Sequence, residues 1–199
     1  MKNKLLYANK LIRLFEKKRI LSTSEFEKEG ISKYFVNILI EGGSIRRVSR
    51  GHYSISDEID DEFFLAQMNN KYLVFSNETA SYLHLLTGRY PSPLSVTTKA
   101  GYHLRDQSLK KYYVNEELLY LGAINMKDPF GNDVIVYDME RTVCDIIKNK
   151  NRIETQVYFE TIQNYFKNEK VNTQKLIMYS KKLSVEKKVM EIAQLFMEP

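Results

Sequence analysis

The sequence predicts an α+β fold in two parts: a small N-terminal module of three helices and a hairpin, then a mixed α/β domain that ends in a helical bundle. Three observations predict it. Apolar residues at helical spacing, punctuated by serine caps and glycine stops, fill residues 1–55. Five acids then crowd the six positions from Asp57 to Glu62. Beyond them short apolar runs alternate with helical patterns until about residue 153, after which the chain reads as wholly helical. The acidic run marks a boundary, giving domains 1–56 and 57–199, with a helical C-terminus over about 153–199.

Each element has a local reason. Leu5, Ala8, Ile12 and Phe15 recur at spacings of four and three, one apolar stripe on a first helix. Ser22 and Glu25 fit the S-x-x-E capping box and open a short second helix carrying Phe26 inward. Gly30 ends it, because glycine takes the left-handed conformation required just past a helix end. Ser32 caps a third helix to about Glu41, with Phe35, Ile38 and Leu39 as its buried face, and Gly42-Gly43 stops it. Ile45, Val48, Tyr53 and Ile55 suit two short strands around a tip of Ser49-Arg50-Gly51-His52. Three helices and a hairpin, with a tight Gly30-Ile31 turn between the second and third helices, make the winged helix-turn-helix plan.

Past the acidic run, Tyr72–Phe75 reads as a strand and Ser76 or Asn77 caps a helix to about Leu86. Leu94–Thr98, Tyr112–Val114, Leu118–Ile124 and Val134–Tyr137 read as further strands. Asp138 caps a helix bearing Val143, Ile146 and Ile147. Tyr158, Ile162 and Tyr165 mark the next helix; Asn172 or Thr173 opens another with Leu176, Ser180 and Leu183. Ser184 caps the last, whose buried face is Val185, Val189, Ile192 and Phe196.

Charge is unevenly distributed. Residues 1–55 hold twelve Lys and Arg against five Asp and Glu, an excess of +7, whereas the remaining 144 residues carry −2. A concentrated positive charge suits a polyanion, since each neutralised phosphate releases counterions. On the third helix, Lys33 and Asn37 are i, i+4 neighbours pointing away from the core side, flanked by Tyr34 and Val36. Asn37 has the amide for a bidentate pair with adenine, Lys33 can reach a guanine edge or a phosphate, and Val36 or Ile40 can meet a thymine methyl. Arg46, Arg47, Ser49, Arg50 and His52 surround the hairpin turn, where arginine can enter a narrow minor groove or clamp the backbone. Thr23 and Ser24, at the start of the second helix, supply hydroxyls for phosphate. The competing reading of all these residues is a solvated basic face or a protein-interaction module. Lys110-Lys111, Lys148, Lys150, Arg152, Lys181-Lys182 and Lys187-Lys188 have acids interleaved with most of them and read as a solvated surface, the alternative being contact with DNA or an acidic partner.

Several chemistries are disfavoured, and no catalytic residue, metal or cofactor is expected. The single cysteine, Cys144, cannot form an intrachain disulfide and reads as a buried, inert thiol, which fits a cytoplasmic protein. None of His52, His84 and His103 has a His or Cys at metal-ligand spacing. No P-loop, G-x-G-x-x-G or G-x-S-x-G occurs. No apolar run of membrane-spanning length is present, and Met1-Lys2-Asn3-Lys4-Leu5 does not open a signal peptide. The densest polar cluster, Asp138 to Asp145, is explained by a helix cap and an Arg141–Asp145 pair at i, i+4; its alternative is a set of catalytic acids, Asp138, Glu140 and Asp145.

Three segments resemble one family. Ile45-Arg46-Arg47-Val48-Ser49-Arg50-Gly51-His52-Tyr53, Phe75-Ser76-Asn77-Glu78-Thr79-Ala80 and Tyr137-Asp138-Met139-Glu140-Arg141-Thr142-Val143-Cys144-Asp145 follow the order and spacing of the AbiEi-type antitoxins of bacterial abortive-infection systems. The resemblance covers nearly the full length. It implies a type IV toxin–antitoxin, phage-defence role: the winged domain represses its own operon by binding inverted repeats in promoter DNA. The resemblance also implies that the C-terminal domain counters a co-transcribed nucleotidyltransferase-like toxin, an antagonism that does not require a stable complex. Paired repeats would let two monomers self-associate cooperatively on DNA. The alternative is a stand-alone regulator whose C-terminal domain dimerises or senses a ligand.

Overall fold

A computed structural model describes residues 2–55, 61–68, 70, 72–104, 106–169 and 171–197. The fold is α+β, and the chain divides into two compact units, residues 1–66 with 127–134 and residues 67–126 with 135–199. The division falls at 66/67, beyond the boundary expected at 56/57, and the first unit also takes residues from much later in the chain. Ser56 and positions 57–60 of the acidic run lie outside the described residues.

The first unit runs α1 (Lys2–Phe15), β1 (Ile20–Ser22), α2 (Thr23–Lys28), α3 (Lys33–Glu41), β2 (Ile45–Ser49), β3 (His52–Ile55) and most of α4 (Glu62–Met68). Strands β1 and β2 both pair antiparallel with β3, giving the order β1-β3-β2. The helices close over this sheet through Leu11, Phe15, Leu21, Phe26, Ile31 and Phe35. On α1 it is Leu11 that is buried, while Ile12, expected inside, is 57% exposed. The side chains of Leu5 and Ala8 lie outside the described residues. The α2 start is the expected capping box: Ser22 accepts from the Glu25 amide and Glu25 accepts from the Ser22 amide. Gly30 has φ +72, the left-handed geometry that lets α2 stop within one residue of Ile31.

The segment Lys127–Val134 brings Phe130 against Phe63 at 6.4 Å and beneath the Arg19 guanidinium at 4.5 Å. Gly131 there has φ +85, and a Cβ at this position would overlap the Lys17 carbonyl oxygen. Gly131→Ala combines backbone strain with a clash against immobile main chain. Thermal or urea melts should show the first unit destabilised by about 2–4 kcal/mol.

The second unit holds a five-stranded mixed sheet, order β6-β5-β4-β8-β7. Its elements are β4 (Val74–Phe75), α5 (Asn77–Leu83), β5 (Ser95–Lys99), β6 (Lys110–Val114), α6 (Glu116–Leu119), β7 (Ala123–Lys127) and β8 (Asp133–Tyr137), the last two extending into the segment assigned to the first unit. There follow α7 (Met139–Lys148), a 3₁₀ turn (Lys150–Arg152), α8 (Thr155–Phe166), α9 (Thr173–Lys182) and α10 (Glu186–Met197). Strand β4 pairs antiparallel with β5 and parallel with β8, and β5 is parallel to β6. The expected strand Leu118–Ile124 is mostly something else: Glu116 and Glu117 open the short helix α6, and β7 begins only at Ala123.

Helix α7 sits at the centre of the C-terminal bundle, with Val143, Cys144, Ile146 and Ile147 packed against Val157, Tyr158, Ile162, Leu176 and Val189. Ser184 does not cap α10 as expected. It has φ +57, its amide bonds to the Lys181 carbonyl, and it closes α9. Phe196 is 42% exposed, and Ala193 takes the buried place expected for it. No helix among the described residues is long and apolar enough to cross a membrane.

Candidate functional site

The expected site residues fall on three elements of the first unit. Helix α3 is fixed at its start by Ser32, whose hydroxyl accepts from the Phe35 amide at 3.3 Å. Phe35 and Val36 are its buried residues, with Leu39 and Ile40 packed beside them. Burial of Val36 at 3% is a correction, since that side chain was expected on the outer face and cannot reach a thymine methyl. At about 100° per residue, a core side at Phe35, Val36 and Leu39 puts Tyr34 and Asn37 at the centre of the opposite face, with Lys33 beside them. All three are exposed, Tyr34 at 75%.

The β2–β3 hairpin carries the arginines. Its turn is Arg50-Gly51, so Ser49 and His52, expected in the tip, instead pair across the last rung of the ladder. A register shift between Arg47 and Ser49 kinks β2, and the Arg47 Nε donates to the Ser49 carbonyl at 3.1 Å across it. Arg47 and Arg50 are exposed, and Arg46 is half-buried. His52 rests its ring 5.9 Å from Phe64, with Nδ1 3.3 Å from the Arg50 carbonyl.

Helix α2 is tied to this turn. The Thr23 amide donates to the Gly51 carbonyl at 2.8 Å and the Thr23 hydroxyl donates to the same oxygen at 3.2 Å. Thr23 therefore spends its proton on anchoring the hairpin, and the exposed Ser24 hydroxyl lies 2.9 Å from the Ser22 hydroxyl, which itself donates to Glu25. Burial pushes the Glu25 carboxyl up, but hydrogen bonds from Lys18 at 2.8 Å and from Ser22 outweigh it and hold the group below the ordinary range. The start of α2 is thus braced from both sides.

A second polar feature of the first unit has no local signature in the sequence. Asp61, Asp128 and Asn132 are all buried, and the Asn132 Nδ2 donates to Asp61 Oδ2 at 2.5 Å. Asp61 Oδ1 accepts from the Phe64 amide, and Asp128 Oδ1 accepts from the amides of Phe130 and Asn132. Burial, then the facing Asp61 carboxylate, push the Asp128 carboxyl up to about 7. Asp61 and Asn132 are 71 residues apart, so no local spacing signals the cluster.

In the second unit the Asp138–Asp145 cluster is a helix start and an ion pair. Asp138 Oδ1 accepts from the Arg141 amide, and Arg141 Nε lies 3.0 Å from Asp145 Oδ2. Asp138 Oδ2 is also held by the Tyr179 hydroxyl at 3.0 Å and by Lys175. Cys144 is fully buried, and that burial pushes its thiol up to about 12. His84 places Nε2 2.7 Å from the Tyr137 carbonyl, and its burial lowers the imidazole pKa. Among the described residues no three His, Cys, Asp or Glu side chains are grouped to hold a metal.

No protein-family model matches the chain, and no curated protein matches it. Among solved structures it is similar to the crystal structure of the RV2827C protein from Mycobacterium tuberculosis, at 10% identity and a TM-score of 0.58, over 98% of this chain and 78% of that one. At that identity the likeness speaks for the fold alone.

Proposed function

We propose that the first unit is a winged helix-turn-helix that binds duplex DNA. In this reading α3 lies in the major groove and the β2–β3 hairpin is the wing. The observation that carries it is the outward face of Lys33, Tyr34 and Asn37 on a short capped helix, in the same unit as the arginine-bearing hairpin and in the one stretch of chain with an excess of +7. Tyr34 and Asn37 meet base edges, Lys33 and Ser24 meet phosphate, and Arg46, Arg47 and Arg50 engage the backbone or minor groove beside α3. Thr23 sets the hairpin's position through Gly51 instead of contacting phosphate itself.

Together with the family resemblance of the sequence, this supports an antitoxin of a type IV abortive-infection system that represses its own operon at inverted repeats. The second unit would antagonise the co-transcribed nucleotidyltransferase-like toxin. Asp138 caps α7 and Asp145 pairs with Arg141, structural roles that support a non-enzymatic reading.

Arg46→Ala/Arg47→Ala/Arg50→Ala tests the DNA assignment in the full chain. Fluorescence anisotropy on the operon's own promoter should show affinity lost, and the log–log salt slope of residual binding reduced by about 3. Toxin neutralisation in co-expression should persist. Unchanged promoter affinity in the triple variant would overturn the assignment.

A further inference from the structure

The C-terminal helices leave an apolar trough that the bundle does not fill. It has a volume of about 440 Å³, with Tyr158, Ile162 and Ile192 as its floor and Phe159, Leu195 and Phe196 as its walls. Phe159 is 61% exposed and Leu195 76%. Through Tyr158, Ile192 and Lys150 the trough continues into a second hollow of about 300 Å³, rimmed by Lys148 and Lys188 and containing Glu191 as its one acid. Lys150 stands 5.0 Å from the Tyr158 ring, at the junction of the two. The surface is therefore graded, apolar at one end and cationic at the other. Its walls, α8 and α10, are 12 residues each, about 18 Å or three turns at 1.5 Å per residue.

We propose that this trough receives an amphipathic helix of a partner protein, with apolar side chains at i, i+3 and i+7 in the Tyr158–Ile192 floor and carboxylates at one end of that stripe over Lys148, Lys150 and Lys188. The charge gradient selects this occupant. A nucleic acid would use the lysines and leave Phe159 and Leu195 in water. A second copy offering its own α10 would bring Lys187 and Lys188 toward a rim that is already cationic.

The probe is a fluorescein-labelled helical peptide of three to four turns, with leucines at that spacing and a glutamate cluster at one end, made in both orientations. Control peptides carry lysine for glutamate or the leucines in scrambled order. With the full-length protein, one acidic peptide should saturate. Leu195→Asp should weaken it about tenfold or more, as loss of an interface anchor does. Lys150→Glu/Lys188→Glu should weaken it similarly and gain binding of the lysine peptide. These side chains are at the surface, and unchanged thermal melts will show that the variants fold. Equal binding of the control peptides, or no saturation by either acidic peptide, overturns the proposal. So does a dimer in sedimentation that Leu195→Asp dissolves, which would assign the trough to a second copy. A fall in duplex affinity confined to Lys150→Glu/Lys188→Glu would assign the rim to nucleic acid and overturn it as well.

Discussion

Arg141→Ala is expected to destabilise the second unit by about 3–5 kcal/mol at pH 8, the cost of leaving a buried charge unpaired. Arg141 is fully buried, its Nε bonds Asp145, its Nη1 donates to the carbonyls of Leu118 and Leu121, and its guanidinium lies 4.1 Å from the Tyr137 ring centre. Asp145 is itself buried; burial raises its pKa and Arg141 opposes that rise. Without the guanidinium the carboxyl moves further up and takes a proton more readily. The loss measured by urea denaturation should therefore be smaller at pH 5 than at pH 8. Replacing both partners by apolar residues, Arg141→Met/Asp145→Leu, should cost much less than the single change, since no charge is stranded. Equal losses at both pH values would show that Asp145 is not the group that suffers.

The second large effect concerns pH and the first unit. The Asp128 carboxyl is raised from the ordinary 3.8 to about 7, so the folded state binds its proton more tightly than the unfolded chain does. This contribution is fully present below pH 3.8 and is lost as pH rises through about 7. By pH 8 the two facing carboxylates of Asp61 and Asp128 repel inside a buried pocket, a loss on the order of 2–4 kcal/mol. Asp128→Asn should flatten this dependence and raise stability at pH 8. The amide keeps an oxygen for the Phe130 and Asn132 amides and offers Asp61 a donor where two acceptors now face each other. Melting curves between pH 5 and 8 decide it: an unchanged slope in the variant would remove Asp128 from the account.

What was legible in the sequence was local. Ser22 with Glu25, Ser32, Asp138 and Asn172 cap the helices that their spacing announces, because a side chain three residues from an amide needs no tertiary partner to reach it. The Arg141–Asp145 pair at i, i+4 was legible for the same reason. What is not legible depends on residues distant in the chain. Strand β1 is only three residues and exists because Ile20, Leu21 and Ser22 pair with β3. The core side of α1 is chosen by where Phe26 and Tyr53 sit, which favours Leu11 over the equally apolar Ile12. On α3 the same effect turned Val36 inward and moved the centre of the outer face toward Tyr34. Phe196 stacks on Phe166 at 5.1 Å but keeps an open edge, which periodicity alone assigns to the core.

The residues from Lys127 to Val134 set an order of events on the ribosome. Asp61 receives its amide from Asn132, and Phe63 its aromatic neighbour from Phe130, only after more than sixty further residues have been made. At about 5–20 residues per second, the nascent N-terminal segment waits several seconds for its last piece. Chains that terminate early release a module that lacks the Phe130 ring beside Phe63 and the Asn132 amide on Asp61, a form more open to proteolysis than the finished one.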